Sequence, residues 1–318
     1  VAPSGAASAA ANDARALLDT LPDRLPTPSI ALGTVVARMD PVATKLDQLR
    51  AAASGPYTVN GTTVYSSAQF RMSKGFNDDA VSDPAVQATL TRAAARAGVT
   101  RDLPLIKVGR GSPEALVKLT QALIDDQQLP AISGKPLADQ IHDLQWRLGI
   151  GMDCAGYVYR AVTAVSGDPA KLGLKPTENE NFTGLPRNPH FQKVGLAQAR
   201  AGDVLVLAGT GEVHDPGHNL VVRSHANASE GSAAAQWPTA APLLKGMGPV
   251  QVYEVDSSFG ATAAGRADGG VRRDVLLYSA TTDTWLTIKS TMPTTAQSGA
   301  VPYGELALTG FFRPKGAP

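Results

Sequence analysis

The chain has 318 residues, 43% of them hydrophobic and 18% charged, and its 29 basic against 28 acidic side chains leave a formal charge of +1. Such a composition folds rather than staying disordered, and so close a charge balance gives no general attraction to nucleic acid or to an anionic membrane surface. No apolar stretch approaches the roughly 20 residues of a membrane span, and a single cysteine excludes an intrachain disulfide and a multi-cysteine zinc site; no metal or other cofactor is expected.

Val1 to Asn12 is Ala, Ser and Gly with one Pro. It lacks the basic and apolar regions of a signal peptide, so it reads either as sequence following a cleaved one or as a trimmed end. Residues 13–53 read as helical, with Ala14, Leu17 and Leu18 before a Pro-rich break and Val35 to Ala53 after it, where Pro41 starts or kinks a helix. Asn60-Gly61 between Tyr57-Thr58-Val59 and Thr62-Thr63-Val64-Tyr65 predicts a two-residue hairpin, because both turn residues tolerate positive φ. Pro84 to Ala97, Pro113 to Asp126 and Leu137 to Leu148 follow as helices, the first two with Pro in the first turn.

From about residue 150 a helix over Cys154 to Val165 precedes a loop-rich stretch to Gln192. Strands are then predicted at Asp203–Leu207, His218–Arg223, Val250–Val255, Arg273–Tyr278, Trp285–Ile288 and Glu305–Arg313. The Ala- and Ser-rich stretch Ser224 to Gly248 reads as a surface insertion. Helix followed by antiparallel strands predicts an α+β fold, with a mainly helical region over 1–130 and a second domain over 131–318.

The only thiol sits in Gly151-Met152-Asp153-Cys154-Ala155-Gly156-Tyr157-Val158, where a loop becomes a helix. A lone cysteine is ordinarily a small buried hydrophobe. A helix N-terminus, however, favours thiolate and offers N–H donors to an oxyanion. Gly156 leaves room for another element, and Tyr157, Val158 and Val162 can bury the helix. Downstream, Gly202-Asp203-Val204-Leu205-Val206 leads toward Gly217-His218-Asn219-Leu220-Val221, which puts an imidazole at the mouth of a strand. Imidazole suits both deprotonating sulfur and protonating a leaving amine. His214 is the rival base, and Asp215-Pro216-Gly217 rules out the helix that a metal pair with His218 would need. Val252-Tyr253-Glu254-Val255-Asp256-Ser257-Ser258 offers two carboxylates on one strand face to orient the ring: Glu254 first, Asp256 second.

Taken in order, these three motifs resemble the NlpC-type cell-wall peptidases, cysteine hydrolases of papain-like fold, with the CHAP amidases as relatives. The resemblance covers roughly residues 145 to 313. It implies a nucleophile at Cys154, a base at His218, a third group at Glu254 or Asp256, and an amine-binding role for Asp153. Tyr157 belongs to the same motif and is expected beside the substrate. The substrate implied is a peptidoglycan stem peptide cut between D-Glu and a diamino acid, in a secreted or periplasmic bacterial setting, or by a delivered effector. Ala155 replaces the family's Ser and the family's upstream Tyr is missing, with Trp146 the replacement on that wall of the cleft. These departures keep two alternatives open: an inactive binding protein on the same scaffold, and an acyl or amide transferase using the same thiol.

Overall fold

The computed structural model describes residues 40–71, 82–176, 182, 184–209, 217–260, 269–288, 293–297 and 306–317. Ala14, Leu17, Leu18 and His214 lie outside them. Helix α1 spans Pro41–Ala52, capped by the Asp40 carboxylate on the Val42 N–H. The hairpin β1 (Tyr57–Val59) and β2 (Thr62–Val64) pairs Tyr57 with Val64 around Asn60 and Gly61, whose φ values are 50° and 78°. Four helices follow: α2 (Pro84–Arg96), α3 (Leu103–Lys107), α4 (Pro113–Asp125) and α5 (Leu137–Arg147). Asp83 and Ser112 cap α2 and α4, which makes the Ser/Asp-Pro starts legible in the chain. The short α3 was not anticipated.

After α6 (Cys154–Ser166) come strands β3 (Phe191–Val194), β4 (Val204–Ala208), β5 (His218–Ala228), β6 (Val250–Phe259), β7 (Gly270–Ser279), β8 (Thr284–Ile288), β9 (Pro293–Gln297) and β10 (Ala307–Pro314). They form one antiparallel sheet in the order β3-β10-β4-β5-β6-β7-β8-β9. The fold is therefore α+β, as expected. Among the described residues no helix is long and apolar enough to cross a membrane.

The two faces of the sheet have different partners. Val204, Val206 and Val221 face α6 and share a core with Tyr157, Val158 and Val162 of that helix. Leu205, Leu207, Leu220, Val222, Tyr253, Val255 and Phe259 line the far face. There the sheet curls on itself. Tyr253 of β6 lies three strands from β10, about 14 Å across a flat sheet, yet its ring centroid is 5.1 Å from that of Phe311.

Two expectations need correction. The stretch Ser224 to Gly248 is not a surface insertion: β5 runs on to Ala228, and α7 (Glu230–Gln236) and α8 (Ala241–Leu244) follow. Ala233, Trp237, Ala240, Leu244 and Met247 bury against Val252, Leu277 and Leu286. Ala233 and Ala240 mark close packing there. Nor does a break in packing fall near residue 130, since Leu46, Leu90 and Leu119 share one apolar core with Val204, Val221 and Phe312.

Candidate functional site

The entrance to α6 is assembled from three chain segments. Met152 bridges Phe70, its N–H donating to the Gln69 carbonyl at 2.8 Å, and the Asp153 N–H donates to the Gly109 carbonyl at 2.9 Å. The same carbonyl explains Gly156: a Cβ there would stand 2.1 Å from the Gly109 oxygen, so no side chain fits. Asp153 caps the helix by accepting from the Gly156 N–H and pairs with Arg110 at 2.9 Å. Both side chains of that pair are buried. Burial, only partly offset by Arg110, pushes the Asp153 carboxyl up to about 6.

Cys154 is the first residue of α6 and remains partly exposed. The Asn219 carboxamide of β5 donates toward it, with Nδ2 4.0 Å from the sulfur. Burial, and after it the charge of Asp153, push the thiol up to about 11, against the weaker opposing effects of a main-chain hydrogen bond from Asn219 and of Arg110. Asn219 is itself buried, and among the described residues its Oδ1 has no hydrogen-bond partner. The main-chain carbonyl of Asn219 accepts from Ser257 Oγ at 2.6 Å. Ser258 donates to the Met152 carbonyl at 2.7 Å, which ties β6 to the loop that delivers the thiol.

His218 does not join this group. Side chains alternate along a strand. Asn219 pairs with Val206 and shares the helix face with Val221, whereas His218 pairs with Leu207 and belongs to the far face. There its ring lies 4.9 Å from that of Phe259, tilted by 50°. Arg272 covers the same Phe259 ring at 4.2 Å and pairs with Asp274 at 3.1 Å. The expected thiol–imidazole pair is thus divided by the thickness of the sheet.

The expected third groups are engaged elsewhere. Glu254 and Asp256 do share a strand face, but it is the helix face. Glu254 accepts from Ser224 at 2.6 Å and Arg223 at 3.2 Å. Asp256, fully buried, is held by Arg273 through two contacts of 2.7 and 2.8 Å. Both arginines also reach Asp47 of α1, at 3.0 Å from Arg223 and 2.6 Å from Arg273. Burial alone would raise Asp47, but the two guanidinium groups outweigh it and hold its carboxyl below the usual range. Three carboxylates and two arginines thereby join α1 to the centre of the sheet.

The remaining expectations divide. Tyr157 is wholly buried in the core, its hydroxyl without a partner among the described residues, so it cannot touch a substrate. Asp153 is committed to its cap and to Arg110, so it cannot bind an amine as expected. Trp146 lies half-buried in the last turn of α5. Sequence reasoning missed Asn219, whose direction follows by alternation only once Val221 is seen to face the helix. No family model, curated protein or solved structure matches the chain.

Proposed function

We propose that the chain is a peptide-binding protein on a papain-like thiol-hydrolase scaffold, holding amide-containing cell-wall stem peptides at the mouth of α6 without cleaving them. The observation that carries this reading is the neighbour of the sulfur: a carboxamide 4.0 Å away, with His218 on the other face of the sheet. A carboxamide neither takes a proton from a thiol nor returns one to a leaving amine. With the thiol near 11, the thiolate fraction at pH 7 is on the order of one in ten thousand. The scaffold is supported by the thiol at the head of a helix packed on an antiparallel sheet, and the ligand class by the motif resemblance.

A second reading, the thiol hydrolase, is favoured by one specific feature. Cys154 opens a helix of 13 residues and stays partly exposed, the position a nucleophile needs. One experiment separates the two. Purified sacculi are incubated with wild type and Cys154→Ala, and bound protein and released fragments are both measured. Equal co-sedimentation without fragments supports the binding reading. Fragments from wild type that vanish in Cys154→Ala overturn it in favour of the hydrolase, and absence of both binding and fragments overturns the ligand class.

A further inference from the structure

We infer that Asn219 occupies the proton-acceptor position beside Cys154 and leaves the thiol without a base there, so that one residue on one strand separates the present site from an ionised thiol. The inference rests on the binding reading and deepens it. Three observations meet at this position. Asn219 is the β5 side chain that reaches the sulfur, at 4.0 Å. It lies on the helix face, while its neighbour His218 lies on the far face against Phe259. Its Oδ1 is buried with no hydrogen-bond partner among the described residues, in a side chain only 6% exposed.

That last point matters because a buried carboxamide oxygen without a donor is unfavourable. Packing alone would be met better by an apolar side chain of similar size, as on the same face at Val221. A ring nitrogen held at the same place would face the sulfur, where it could take the thiol proton to give a thiolate–imidazolium pair. Among the described residues, the charged groups that bear on the sulfur are Asp153 from the helix cap and Arg110 from the turn before α4. They pair with each other at 2.9 Å, so neither serves as a free base or a free cation for the thiol. Asn219 therefore fills the place of a base without serving as one: its carboxamide takes no proton from the sulfur.

The test measures alkylation of Cys154 by iodoacetamide against pH in wild type, His218→Ala, Asn219→His and Asn219→Ala, with folding checked by circular dichroism. Wild type is expected to react more slowly at pH 7 than free cysteine, with His218→Ala unchanged and Asn219→Ala equally slow. Asn219→His is expected to react at least about tenfold faster than wild type at pH 7, with its profile moved to lower pH. Wild-type labelling faster than free cysteine and lost in His218→Ala would overturn the inference, as would a folded Asn219→His no faster than wild type. If Asn219→His does not fold, the comparison of wild type with His218→Ala decides alone. Sacculus binding by Cys154→Ala is independent of these rates, so failure of the binding reading is told apart from failure of this one.

Discussion

At the scale of single residues, the chemistry is decided by which way side chains point. Leu220, Val221 and Val222 are all apolar because β5 is buried on both faces. A strand covered on both sides loses the alternation that would reveal its inward face. The motif around Cys154 was therefore legible, and the orientation of His218 was not. Two outcomes are expected here. Cys154 is neutral in the fold up to about pH 11 but titrates near 8.5 when unfolded. An acid whose folded value is raised binds more protons in the native state within that window, so stability falls as pH rises through it. Urea midpoints of wild type should then drop relative to Cys154→Ser between about pH 9 and 11 and run parallel below, because every other titrating group is common to both proteins. Gly156→Ala should destabilise by about 1–3 kcal/mol or more, since the Gly109 carbonyl already occupies the Cβ position.

At the scale of elements, caps and turn chemistry were the most readable signals. Asp83-Pro84, Ser112-Pro113 and Asn60-Gly61 each encode a local hydrogen bond or dihedral, and each element stands where the chain implies. The ion-pair network was not readable, because Asp47 meets Arg223 and Arg273 only after long stretches of chain are folded together. Glu254 and Asp256, expected beside an imidazole, are held instead by Arg223, Ser224 and Arg273. Removing one member leaves a buried charge behind, so Asp256→Ala is expected to lower unfolding free energy by about 3–5 kcal/mol while leaving the alkylation rate of Cys154 unchanged. Trp237→Ala, which empties the contact between the α7–α8 segment and the outer strands, should cost about 3–5 kcal/mol in the same urea titration.

At the scale of the whole molecule, the N-terminal helices and the sheet have no separate interiors. The apolar cluster that holds Leu46, Leu90 and Leu119 together with Val204, Val221 and Phe312 crosses the division expected near residue 130. A chain starting at residue 131 would expose that core and lose Asp47, so it is expected to aggregate or to show no cooperative unfolding, as read by circular dichroism during heating. The curl of the far face carries a different consequence. Tyr253 lies 5.9 Å from Trp285 and 5.1 Å from Phe311, aromatic rings contributed by strands on opposite sides of its own. At such a separation the phenol hands its excitation to the indole, and Tyr278 stands 4.7 Å from the same ring, so recovered tyrosine emission would report the parting of β6, β7 and β8.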